Sequence, residues 1–91
     1  MSDVKFDVAL SWDGITLQPG GYEVSVLPEE CVVVLRQRDT EVARLAATLR
    51  SSKMRVKQLH AQLFHVQGEP RRLLVVRTPP ADEWVVSLDE V

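Results

Sequence analysis

Ten basic side chains lie between Arg36 and Arg77, and their type and concentration suit the binding of an anion. Only three acids share that segment, so it carries a net charge of +7, whereas residues 1–35 carry −5 and residues 78–91 carry −4. Cationic groups gathered on one surface attract phosphates and carboxylates. The candidate anion or partner surface comprises Arg50, Lys53, Arg55, Lys57, Arg71 and Arg72.

The same charge distribution has other interpretations. Acidic and basic strands can pair within one fold, which is the interpretation we favour, or the acidic ends of one copy can meet the basic middle of another. Nucleic acid is a less favoured partner, because single-strand binding uses aromatic platforms and Phe64 is the only aromatic residue in 36–77. The whole chain is also slightly acidic, with a net charge of −2.

Candidate catalytic and metal-binding residues are few. His60 and His65 are five residues apart, so on a strand they face opposite sides and share no metal site. Cys31 opens an apolar run, which predicts a buried and unreactive thiol.

The acids occur as the adjacent pairs Glu29-Glu30, Asp82-Glu83 and Asp89-Glu90. Neighbouring side chains on a strand point apart, so these pairs suit joint acid–base catalysis poorly. We predict a protein that is not an enzyme and that uses no cofactor or metal.

Most of the chain has the period-two alternation of β-strands. Residues 4–10, 15–17, 22–26 and 84–88 alternate in this way, and Asp13-Gly14 predicts a two-residue hairpin turn. Two further runs, Cys31–Leu35 and Leu73–Val76, are apolar on both faces. They present more apolar surface than a small core covers, which predicts burial against a second copy.

The segment from Thr40 to Val66 fits two structures. Seven apolar residues fall on heptad positions of a helix, interrupted only by Ser52: Val42, Leu45, Leu49, Val56, Leu59, Leu63 and Val66. In the alternative, Ala43 to Leu49 alternates as a strand, Ser51-Ser52-Lys53 forms a hairpin turn, and the second strand needs a bulge near Gln58. The pattern alone slightly favours the helix.

The stretch LQPGGYEVSV, Leu17 to Val26, together with the strand order that follows it, resembles small uncharacterised bacterial all-β domains. The resemblance covers residues 15–90 and implies an all-β fold, but no functional residues are carried over. It favours strands in residues 40–66. We therefore predict one domain, residues 1–91, folded as a small antiparallel β-sandwich or flattened barrel of seven to eight strands. The alternative is an α+β fold with residues 40–66 as a long helix on an antiparallel sheet.

The single cysteine, and the absence of a signal-peptide or membrane-spanning pattern, lead us to expect a cytoplasmic protein that does not associate with membranes. The functional expectation is a structural or protein-interaction domain that self-associates through apolar strands and complementary charged surfaces. The expected partners are further copies of the chain or another protein. The alternative is a binding module for an anionic ligand or nucleic acid that uses the basic central segment.

Overall fold

The computed structural model describes residues 2–91, and these residues form ten β-strands and no helix. The strands are β1 (Ser2–Phe6), β2 (Leu10–Trp12), β3 (Ile15–Leu17), β4 (Gly20–Leu27), β5 (Val32–Gln37), β6 (Thr40–Ala46), β7 (Thr48–Ser51), β8 (His60–His65), β9 (Arg71–Thr78) and β10 (Asp82–Glu90). The all-β prediction is confirmed and the α+β alternative is wrong. With no helix present, nothing in residues 2–91 is a helix long and apolar enough to cross a membrane.

The strands form two antiparallel sheets that pack as a sandwich. Sheet A has the order β1-β4-β5-β6, and sheet B has the order β3-β2-β10-β9-β8, with β7 also paired to β10. The strand number exceeds the predicted seven to eight because two predicted strands are each interrupted. One breaks between Phe6 and Leu10, and the other breaks at Ala47, where the chain passes from sheet A to sheet B.

Alternating residues of both sheets point inward and form one core. The largest fully buried side chains are Phe6, Leu10, Leu17, Val24, Val33, Leu35, Leu45, Leu74, Val76, Val86 and Leu88. Phe6 packs on Tyr22 with ring centroids 4.8 Å apart, in a tilted arrangement. Inward alternation in strands therefore accounts for the burial pattern, as the period-two reading requires.

Residues 40–66 form three strands and a loop. Leu45 is fully buried and Ala43 is 6% exposed, whereas the heptad residues Val42 and Leu49 are 41% and 49% exposed. Burial thus follows period two and not the helical stripe. Tertiary packing overrides the helix propensity of the Ala-, Leu- and Arg-rich sequence.

The predicted hairpin turn at residues 51–53 is wrong. Strand β7 pairs with β10 and β8 pairs with β9, so two strands separate β7 from β8. Residues 52–59 instead form a loop that spans this distance. The bulge expected near Gln58 is also wrong, because Gln58 lies in this loop. A bulge occurs instead between β5 and β6, where Leu35 faces Ala43 and Arg36 faces Glu41, so that Val42 is the extra residue.

Cys31 stabilises the crossing between the sheets. The Ala47 N–H donates to the Cys31 carbonyl at 3.0 Å, and the Cys31 thiol donates to the Ala47 carbonyl at 3.1 Å. Its side chain is half-buried, so the burial predicted for this thiol is only partial.

Two hairpins have two-residue turns with positive φ at both positions. Asp13-Gly14, with φ of 46° and 81°, joins Trp12 to Ile15, and this confirms the predicted turn. The second turn, Arg38-Asp39, has φ of 50° and 62° and was not predicted, because arginine is not a residue that favours this conformation.

Candidate interaction surfaces

The six predicted surface residues do not form one surface. Arg50 on β7 lies opposite Glu83 of β10, whereas Arg71 on β9 lies opposite Asp89, six residues further along β10. At the rise of a β-strand this separation is about 20 Å. The six residues therefore divide between the two ends of sheet B: Arg50 and the loop residues Lys53, Arg55 and Lys57 lie toward one end, and Arg71 and Arg72 lie toward the other.

Arg72 is neutralised within the chain. Its guanidinium donates to Asp7 Oδ1 at 2.8 Å and to Glu90 Oε1 at 3.3 Å, and its side chain is only 12% exposed. Arg71 stays exposed and lies 4.0 Å from Glu69. Arg72 thus joins the β1–β2 connection to the end of β10, and we remove it from the candidate surface.

The Arg72 ion pair makes stability depend on acid pH. The hydrogen bond from Arg72 holds the pKa of Asp7 below its usual value of 3.8. The unfolded chain therefore binds the proton first, so this stabilisation is complete above about pH 4 and is lost as the pH falls through the lowered pKa. We expect the unfolding free energy of Asp7→Asn to fall less steeply than that of the wild type below about pH 4, measured by urea titrations.

Asp89→Asn is the control for that experiment, because it removes one carboxylate near the same end of β10 without touching Arg72. Equal pH slopes for Asp7→Asn and the wild type would contradict a stabilising Asp7–Arg72 pair.

A row of charged side chains crosses the outer face of sheet B. Arg50, Glu83, Arg77 and His60 occupy directly opposed positions on β7, β10, β9 and β8. The Glu83 carboxylate lies 2.5 Å from Arg50 Nη2 and 3.4 Å from Arg77 Nε, and Arg77 also donates to Gln62 at 3.0 Å. Arg77 and Glu83 are mostly buried, at 16% and 14% side-chain exposure, so this row is a structural network as well as a surface.

Residues 52–59, which we call the basic loop, contain Lys53, Arg55 and Lys57. All three side chains are exposed, and within residues 2–91 none of them forms a salt bridge. The exposed Met54 lies between the first two. Three of the six predicted residues therefore stay available to a partner.

A second surface is apolar. Phe64 of β8 lies opposite Leu73 of β9, and Val75 of β9 lies opposite Val85 of β10, all on the outer face of sheet B. We call these four residues the outer patch. Phe64 is 41% exposed and Leu73 and Val85 are half-buried, whereas Val75 is 5% exposed.

The two runs that are apolar on both faces, Cys31–Leu35 and Leu73–Val76, need less burial against a second copy than predicted. Among the outward-facing side chains of the two runs, Val32 and Leu73 are half-buried, and Val34 and Val75 are already 4% and 5% exposed in one chain. Neighbours within each sheet cover Val34 and Val75, so neither requires a second copy. On sheet B, the apolar side chains that remain to be covered are Phe64 and the half-buried Leu73 and Val85.

Other parts of the described chain converge on no chemical site. The histidines lie on opposite faces of β8, and nowhere in residues 2–91 do three or more His, Cys, Asp or Glu side chains approach closely enough to hold a metal. A surface groove of about 510 Å³ is lined by Gly21, Gln37, Arg38, Thr40 and Val42.

Two features of these surfaces were not predicted from the sequence: the role of Glu83 as the shared partner of two arginines, and the membership of Phe64 and Val85 in one patch. Both depend on which strands are neighbours, which no local pattern encodes. Comparisons with protein-family models, curated proteins and solved structures find no match to this chain, so the resemblance to bacterial β-domains stays a prediction.

Proposed function

We propose that this protein is a non-enzymatic interaction domain that self-associates through the outer face of sheet B. The observation that carries the proposal is the outer patch, in which Phe64, Leu73, Val75 and Val85 adjoin across three neighbouring strands. Apolar surface of this kind on a sheet face is stabilised when a second apolar face excludes water from it.

The shape of the molecule provides enough area for such a contact. The extents are 34 × 33 × 20 Å, so each broad face exceeds the roughly 800 Å² per partner that a standard interface buries. Sheet B, with its six strands, is the wider of the two sheets.

The charges around the outer patch favour a second copy as the occupant. Beyond one end of the patch lie Arg77 and Glu83, and beyond the other lie Arg71 and Asp89. Each end thus carries both a cation and a carboxylate. A second copy related by a two-fold axis can therefore bring its cations beside the carboxylates of the first at both ends, which supports self-association.

The test is sedimentation equilibrium of the wild type and of the double variant Phe64→Thr/Leu73→Thr over a concentration series. We expect a dimer at high micromolar concentration for the wild type. We expect association to weaken by at least about tenfold in the variant, since each buried apolar side chain contributes about 1.5–3 kcal/mol. Threonine retains strand propensity, so the fold should persist.

Val42→Thr is the matched control. Val42 is also 41% exposed, but it belongs to β6 of sheet A. This variant should associate like the wild type. A wild-type protein that stays monomeric at high micromolar concentration, at both low and high salt, would overturn the proposal.

A further inference from the structure

The cations of the basic loop form no salt bridge in the described part of the chain, unlike five arginines that lie on strands. Five arginines form salt bridges with acidic partners: Arg44, Arg50, Arg71, Arg72 and Arg77. Lys53, Arg55 and Lys57 instead present three positive charges within five residues, and across the described chain none of the three lies within ion-pair distance of a carboxylate. Their charge is therefore available to bind an external anion.

The backbone of the basic loop is held in place. The Ser52 N–H donates to the Ala81 carbonyl at 2.8 Å, the Val56 N–H donates to the Pro80 carbonyl at 3.0 Å, and the Met54 N–H donates to Ser52 Oγ at 3.0 Å. Val56 is also half-buried. Because the loop is already ordered against the β9–β10 turn, binding a ligand costs less conformational entropy than ordering a free loop would.

The charged residues around the basic loop leave its three cations uncompensated. Arg50 lies on β7, two residues before the loop begins. Glu83 is shared between Arg50 and Arg77, and Asp82 lies opposite Ser51, so these two carboxylates offset the two arginines and leave the three cations of the loop. This end of sheet B thus keeps a positive potential although the whole chain has a net charge of −2.

We propose that the basic loop binds an acidic peptide segment of a partner protein. Carboxylates match the three cations, and Met54, which is 59% exposed between Lys53 and Arg55, offers an apolar contact for an aliphatic side chain of the same peptide. Nucleic acid fits less well, because residues 52–59 contain no aromatic side chain on which a base can stack.

The experiment uses two fluorescein-labelled probes at low salt, followed by anisotropy. The first is a short peptide with glutamate at alternate positions and leucine and serine between them, and the second is a single-stranded oligonucleotide of equal charge. We expect the wild type to bind the peptide, and the triple variant Lys53→Ser/Arg55→Ser/Lys57→Ser to bind it at least about tenfold more weakly.

The control variant is Lys5→Ser/Arg38→Ser/Arg44→Ser, which removes three exposed cations that lie outside both the basic loop and the outer face of sheet B. It should keep the wild-type affinity for the peptide. The proposal is overturned if the wild type does not bind the peptide, if the control loses as much affinity as the loop variant, or if the oligonucleotide binds more tightly than the peptide through the same three residues. None of these outcomes depends on self-association through the outer patch.

Discussion

Leu45→Ala is expected to lower the free energy of unfolding by about 3–4 kcal/mol, the largest effect of a single substitution that we predict. Leu45 is fully buried, with an exposure of 0%, and it lies opposite Val33 in the core. Truncation removes buried methyl groups and leaves a cavity between the two sheets.

Val42→Ala is the matched control in the same strand. Both residues belong to the heptad stripe, but Val42 is 41% exposed, so its truncation should cost less than about 1 kcal/mol. Urea titrations monitored by the fluorescence of the buried Trp84 measure both values. Comparable losses at the two positions would indicate a helical stripe and contradict the strand assignment of residues 40–46.

Glu83→Gln is expected to lower the free energy of unfolding by about 2 kcal/mol, the second largest predicted effect. The substitution keeps the size of the side chain but removes the charge shared by Arg50 and Arg77. Arg77, at 16% side-chain exposure, would then hold a mostly buried guanidinium without a carboxylate partner.

Asp82→Asn is the control for Glu83→Gln, because it removes the same charge from the adjacent residue, which forms no salt bridge in the described part of the chain. We expect a change of less than about 0.5 kcal/mol for this surface substitution. Thermal and urea unfolding at one salt concentration compare the two variants. A Glu83→Gln protein as stable as Asp82→Asn would show that the charged row does not stabilise sheet B.

The fold was predictable where local patterns and turn chemistry agree. Alternation between Tyr22 and Val26 and the Asp13-Gly14 turn both led to correct elements. Residues 40–66 were ambiguous, because their helix-forming composition opposes a strand assignment that only packing against the partner strands decides. The position of β7 beside β10, and not beside β8, follows from sheet order and has no local signal.

The candidate surfaces were predictable only in part, for a related reason. The sequence does not distinguish Arg72 from Lys53 as a candidate binding residue. In the structure Arg72 donates to Asp7, which is 65 residues away, whereas Lys53 forms no salt bridge among residues 2–91. Pairing between distant charges depends on strand order and register. The sequence correctly indicates two strands that are apolar on both faces. It does not indicate that Val34 and Val75 are already buried within one chain.

The most direct test of self-association through the outer patch is a dilution series of two-dimensional ¹H–¹⁵N NMR spectra. Raising the concentration should shift the amide resonances of Phe64, Leu73, Val75 and Val85 together with those of their neighbours on the outer face of sheet B. Resonances of the outer face of sheet A, such as those of Val34 and Arg44, should stay unchanged. Spectra that do not change with concentration, or changes confined to sheet A, would contradict the account.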